Sequence, residues 1–198
     1  MQRILRFFCC FFLIYCGTGL LFAQQEDKSF SWTLALQNMR TGELVPFSAP
    51  VQSWNGEQFR LVVKPGAGCF CYIVAESPSG DVVAVLAADP LKSGETWYSP
   101  IMELTAPRGA ESLFIVVSQT EQKILAQRIS AIGNTSSTLQ RRALMNEIFR
   151  LRSDVSKFRE MPEKPVLMGG AARGAPEKNQ GVEFSGMETY VKTISIEH

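Results

Sequence analysis

The chain holds a single histidine, His198, so no second imidazole is present to act as base, proton shuttle or metal ligand. A serine or cysteine nucleophile ordinarily needs such a base beside it, which leaves histidine-driven acyl transfer only position 198 to work with. Cysteine is scarce where it could matter. Three of the five (Cys9, Cys10, Cys16) fall in the first 16 residues, leaving Cys69 and Cys71. With one histidine these do not make the four ligands of a structural zinc. Charge of one sign is missing too: 20 basic against 19 acidic residues give a net charge of +1, hence no global field to draw in nucleic acid or acidic substrates. No apolar run reaches the about 20 residues that span a bilayer. Calcium-loop spacing is absent among the scattered Asp27, Asp81, Asp89 and Asp154. The glycine-rich stretch Gly169 to Gly174 lacks the lysine and hydroxyl residue of a phosphate-binding loop and reads as a linker. Glu103 and Glu111 could pair as acid and base, but nothing in their spacing signals it. No cofactor or metal is expected, and the chain reads as a non-enzyme.

What is present begins with an export signal. Arg3 and Arg6 precede an apolar run from Phe7 to Cys16, followed by Gly17-Thr18-Gly19, then Leu20 to Ala23, then a polar stretch from Gln24 to Lys28. A basic start, a short apolar stretch and a small residue before a polar one match a secretory signal peptide, with cleavage expected after Ala23. Cleavage removes Arg3 and Arg6 and lowers the net charge from +1 to −1. The expected destination is the periplasm or cell envelope. A lipid-tethered form would use Cys16, which here follows the bulky Tyr15. Cys69 and Cys71 lie two apart in an apolar run, so their side chains point the same way from an extended strand. Parallel neighbours do not easily reach the right-angled disulfide dihedral, and core-filling thiols are the expectation.

From Ser31 to about Ile132 the pattern has period two. Trp32, Leu34 and Leu36 alternate with Ser31, Thr33 and Ala35, and Phe59, Leu61 and Val63 alternate with Gln58, Arg60 and Val62. Such alternation marks half-buried strands. Cys69 to Val74, Val82 to Ala87 and Leu113 to Val117 are apolar on both faces and read as central strands; Ile101 to Leu104 and Ile124 to Ile129 are weaker strand candidates. Pro65-Gly66-Ala67-Gly68 and Ser77-Pro78-Ser79-Gly80 supply turn chemistry, and both joints predict hairpins. Close-spaced short strands predict a mainly β fold: an antiparallel β-sandwich, immunoglobulin-like, over residues 24–132.

After Gly133 the period changes. Thr135, Ser136 and Ser137 can cap a helix running to about Arg159, and Leu144, Ile148, Leu151, Val155 and Phe158 form one apolar stripe. The other faces carry a basic excess, with Arg150 and Asp154 spaced to pair. Docking of residues 133–160 on the sandwich is the favoured reading; an anionic membrane surface is the alternative. Residues 161–187 are rich in glycine and proline and predict a loop. Tyr190, Ile194 and Ile196 then alternate with Val191, Thr193 and Ser195, predicting that residues 188–198 return as a final strand of the same domain.

The residues Gly56-x-x-Phe59-x-Leu61, Gly68-x-Phe70-x-Tyr72-Ile73, Ser79-Gly80-x-Val82, Gly94, Pro100 and Pro107-x-Gly109-x-Glu111-x-Leu113 carry a resemblance. Over roughly residues 43–120 the chain resembles a bacterial domain family of unknown function. That family is found as an appendage to caspase-like peptidases and serine/threonine kinases, and in exported stand-alone proteins. The chain departs from its pattern at Leu86-Ala87-Ala88-Asp89-Pro90, where an aromatic and a proline usually close the strand. The resemblance implies an accessory β domain with no assigned catalytic residues. Trp54, Trp97 and Tyr98 lie near predicted turns, where exposed aromatics can anchor a protein partner. The sequence therefore reads as an exported, non-catalytic binding or assembly module of the bacterial cell envelope. A small envelope hydrolase with a serine–lysine or carboxylate pair is the alternative.

Overall fold

A computed structural model describes residues 29–132, 137–156, 164–167 and 180–198. The export segment, Cys16, Asp27, Phe158 and the stretch from Gly169 to Gly174 lie outside the described residues. Along the chain the elements are β1 (Ser29–Asn38), β2 (Leu44–Val45), β3 (Val51–Gln52), β4 (Gln58–Pro65), β5 (Cys69–Glu76), β6 (Val82–Leu91), β7 (Trp97–Tyr98), β8 (Met102–Glu103) and β9 (Ala110–Ser118). Then follow α1 (Lys123–Ser130), α2 (Thr138–Ser156), β10 (Lys164–Leu167), β11 (Gln180–Met187) and β12 (Thr189–Glu197).

These strands make two facing sheets, a β-sandwich. The first has the order β10-β11-β1-β4-β7, with β2 added to β1 and β8 to β4; the second has the order β3-β12-β9-β5-β6. Period-two alternation does the sorting. Trp32, Leu34, Leu36, Phe59, Leu61 and Val63 point inward from the first sheet and meet Cys69, Cys71, Ile73, Leu113, Ile115 and Val117 of the second. Both cysteines are buried core side chains. Pairing is antiparallel throughout except for the short parallel contact of Val51-Gln52 with Ile196-Glu197.

The two short joints differ in kind. Ser77 to Gly80 closes a true hairpin, for β5 and β6 pair antiparallel. The Pro65-Gly66-Ala67-Gly68 joint does not, because β4 and β5 belong to opposite sheets. A short connection excludes a parallel neighbour but also permits an arch across the sandwich, which strands with matching inward faces take when each has better partners in its own sheet. Glycine is needed in this arch: the Gly66 N–H donates to the Ser31 carbonyl at 2.7 Å, and a Cβ at Gly66 would lie 2.9 Å from that same oxygen. A second correction concerns β6, expected in the middle of a sheet and found at its edge. Its apolar pattern reports what covers its faces, since Val82 lies under the helices while Leu91 joins the inner core.

The outer face of the second sheet is covered by two helices where the sequence predicted one. Ile124 to Ile129, read as a weak strand, is helical within α1, with Leu125 and Ile129 buried four residues apart on one face. The start of α2 is a capping box: Gln140 N–H donates to Ser137 Oγ at 3.2 Å, and Ser137 N–H donates to Gln140 Oε1 at 2.8 Å. Leu144, Met145, Ile148 and Leu151 then bury against a layer containing Tyr72, Val74, Phe114, Val116 and Val191. Arg141 pairs with Asp81 and so ties the helix to the β5–β6 turn. Arg150 reaches Asp154 at 2.8 Å, as its spacing predicts, and also Glu147 at 2.7 Å.

Residues 161–187 are not all loop: β10 and β11 lie there, and β11 pairs with β1 from Ser29↔Met187 to Leu34↔Val182. The register sets Phe184 beside Trp32, with ring centroids 4.7 Å apart, and Tyr190 closes an aromatic trio at 5.6 Å from Trp32 and 5.3 Å from Phe184. Three paired aromatics outweigh the glycine and proline around them. At Glu188 the chain passes from the first sheet to the second with φ +56°. There Ser118 Oγ donates to the Glu188 carbonyl at 3.1 Å, and Gln122 Nε2 donates to Ser118 Oγ at 3.0 Å.

The Gln122 backbone N–H, at the start of α1, donates to the buried Tyr72 hydroxyl at 2.6 Å. Tyr72→Phe removes that acceptor and strands a helix-start donor. A loss of about 1–3 kcal/mol is expected in urea denaturation, the penalty for an unsatisfied donor. An unchanged midpoint would show that the donor finds another partner.

Candidate functional site

Between β3 and β4 the chain reads Ser53-Trp54-Asn55-Gly56-Glu57. Glu57 N–H donates to the Trp54 carbonyl at 3.1 Å, closing a four-residue turn with Gly56 third in line at φ +86°. A positive φ at that place is what a type II turn requires, and glycine meets it without strain. Trp54 opens the turn and stands 66% exposed, unusual for so large an apolar ring.

Both flanks of this turn are pinned. On one side Ser53 Oγ donates to Glu57 Oε2 at 2.5 Å, and Arg40 pairs with Glu57 Oε1 at 2.6 Å. Asn38 Oδ1 accepts the backbone N–H groups of Arg40 and Thr41 at 2.9 and 3.1 Å, which shapes the turn that presents Arg40. The Ser53 hydroxyl, then Arg40 and Asn38, hold the Glu57 carboxyl below the usual carboxylate range against the opposing effect of burial. Beneath, Gly56 N–H donates to the Leu104 carbonyl at 2.8 Å and Leu104 N–H to the Glu57 carbonyl at 2.9 Å.

The other flank is held by the end of β12. Ser53 N–H donates to the Glu197 carbonyl at 2.8 Å, and Gln52 Nε2 donates to Glu197 Oε2 at 2.6 Å. His198 exchanges backbone hydrogen bonds with Gly109 at 2.9 and 3.0 Å. Its side chain is fully covered. Nδ1 lies 2.5 Å from Asn55 Oδ1 and Nε2 lies 3.4 Å from Glu111 Oε1. Burial raises the Glu111 carboxyl above its usual range, and His198 partly offsets this. Strand parity carries this signal: Ile194, Ile196 and His198 share a face, and the first two are core residues.

The three aromatics singled out by the sequence are not one patch. Trp97 packs against the inner core from β7. Tyr98 is half exposed, its ring 4.5 Å from the Arg60 guanidinium. It pairs with Val62, four residues along β4 from the Gln58 end next to the Trp54 turn. At about 3.3 Å per residue that separation is roughly 13 Å of strand.

Other candidate groups have structural partners. Burial pushes the Cys69 thiol up to about 11, away from thiolate chemistry. Glu103 accepts from Gln58 Nε2 at 2.9 Å while Glu111 faces His198, so each carboxylate has its own neighbour. Among the described residues no three His, Cys, Asp or Glu side chains are grouped to hold a metal ion, and no helix is long and apolar enough to cross a membrane. What the Trp54 turn can do chemically is bind. It offers a large apolar ring on a backbone already fixed, bordered by the hydrogen-bonded side chains of Ser53, Glu57 and Arg40. Compared with family models, with curated proteins and with solved structures, this chain matches none.

Proposed function

We propose that this protein is an exported, non-catalytic binding or assembly module of the bacterial cell envelope, and that it grips a protein partner through Trp54. The observation that carries the reading is the exposed indole on a turn clamped from both sides. Interface energy concentrates in a few anchors, tryptophan foremost, and a loop ordered beforehand loses little entropy on binding. The polar groups around Trp54 are of the kind that form a rim excluding water from a central anchor. The N-terminal export pattern supports an envelope location, and the resemblance of residues 43–120 to an accessory bacterial domain supports a role without catalysis.

The test is a photo-reactive tryptophan analogue, which keeps the anchoring ring, placed at position 54 in living cells, with the 78%-exposed Leu139 on α2 as the control position. A discrete adduct is expected from position 54 and not from position 139. Trp54→Ala should weaken capture of the same partner about 30-fold, the effect of a 2 kcal/mol hot spot. Its melting temperature should stay within the small range of surface substitutions. Equal labelling from both positions, or turnover of any substrate by the purified chain, would overturn the proposal.

A further inference from the structure

The His198 ring sits where hydrogen-bond chemistry demands a proton. Nδ1 at 2.5 Å from Asn55 Oδ1 must carry a hydrogen, because the amide oxygen only accepts. A neutral imidazole with its hydrogen on Nδ1 turns a bare lone pair at Nε2 toward Glu111 Oε1, 3.4 Å away. Two acceptors facing each other in a covered site repel. Nε2 is buried and makes no hydrogen bond of its own. With Asn55 Oδ1 as the acceptor at Nδ1, one additional proton, on Nε2 or on the carboxyl, turns the contact attractive.

We infer that Asn55, His198 and Glu111 form a protonation-dependent latch that fastens the Trp54 turn to the end of β12 at acidic pH and loosens as pH rises. The inference rests on the Trp54 reading only for what the latch regulates. Among the described residues, charged side chains come from three of the segments that meet at this corner. From the β3–β4 turn comes Glu57, whose oxygens are taken by Ser53 and Arg40. From the strand end comes Glu197, bonded to Gln52. The Gly109 side contributes Glu111 itself, with the exposed Arg108 one residue before the glycine.

The sign follows from where the shared proton goes. Glu111 titrates above its usual 4.5 because it is buried, so the folded pair keeps a proton that the unfolded chain has already released. Stability from such a group is complete below its unfolded value and is lost as pH rises through the folded one. The latch is therefore closed at the acid end and opens upward from about that value.

With one histidine in the chain, isotope-labelled His198 yields a single imidazole signal, and the purified protein needs no partner. Expected is one pH step, on the alkaline side of an ordinary carboxyl's titration, sensed by the His198 ring and by the Asn55 and Gly56 amides. Across it the hydrogen-exchange protection of those amides, corrected for intrinsic exchange, should fall about tenfold per pH unit, the linkage of one proton. Glu111→Gln, whose amide can donate to Nε2 without titrating, and His198→Gln should each abolish it. A flat profile would overturn the latch, as an Asn55 amide turned to donate to Nδ1 would produce, and so would a step that survives His198→Gln. If His198→Gln does not fold, a step that survives Glu111→Gln overturns it alone. Failure of crosslinking at position 54 with an intact pH step would sink the binding role and leave the latch standing.

Discussion

Phe184→Ala is expected to destabilise the protein by about 3–5 kcal/mol, the range for emptying a buried aromatic site. The residue is fully buried, stacked on Trp32 and close to Tyr190, so truncation removes both transfer energy and ring contacts. The ring contacts alone are worth about 0.5–1.5 kcal/mol per pair. The space left has no route to collapse, since Trp32 is held by its own strand pairing to Pro65 on one side and Phe184 on the other. A small domain has roughly 5–15 kcal/mol of total stability, so this single change takes a large share of it. In urea denaturation the midpoint should fall while the slope stays near that of the wild type. The prediction also discriminates between structures: a residue in an open glycine-rich loop would lose no more than about 0.5 kcal/mol. A loss below 1 kcal/mol would mean that β11 is not where the register places it.

Ile148→Asp should be harsher. Ile148 is fully buried in the layer between α2 and the second sheet, with Leu144, Leu151, Tyr72 and Val116 in the same cluster. A carboxylate there has no designed partner. Arg150, two residues on, is already engaged by Glu147 and Asp154. An unpaired buried charge is among the few mechanisms that exceed about 4 kcal/mol, and loss of folding is the expected outcome. Ile148→Ala, which keeps the site apolar, should cost about 2–5 kcal/mol and remain measurable. This pair separates the docked helix from a membrane-surface helix. For the latter, Ile148→Ala would leave the chemical denaturation midpoint alone and weaken binding to anionic vesicles. Unchanged midpoints in both variants would detach α2 from the sandwich.

Legibility in the sequence followed covering rather than connectivity. The alternation of Trp32, Leu34 and Leu36, and of Phe59, Leu61 and Val63, reports directly which side of a strand is buried, and each of these side chains is inward as its parity predicts. The same parity puts Ile194 and Ile196 inside and Val191 under the helices. The stripe of Leu144, Ile148 and Leu151 likewise lies on a buried face. Failures came where one local pattern suits two tertiary settings. Pro65 to Gly68 can close a hairpin or an arch, and only the availability of β1 as a partner for β4 decides between them. Val82 to Ala87 is apolar enough for a central strand, but its position depends on which strand wins the far side of β5, and β9 does. The spacing of Leu125 and Ile129 suited a helix, which the surrounding aliphatics masked.

The candidate site was half visible. Trp54 stood out as an aromatic beside turn residues, while the distant groups that support its turn come from four separate stretches: Arg40, Leu104, Glu111 and His198. None is within ten residues of Trp54, and a hydrogen bond between distant side chains leaves no periodic trace.

Alternation and apolar spacing by themselves determined that this chain builds layers of strands with a helix laid on them, because burial of one face is a local property repeated along the chain. Which strands neighbour each other, that Phe184 completes the core, and that His198 is enclosed beside Glu111 were decided only in the tertiary structure. Those outcomes are set by competition among segments far apart in the chain, and the winning contacts exist only once both partners are in place.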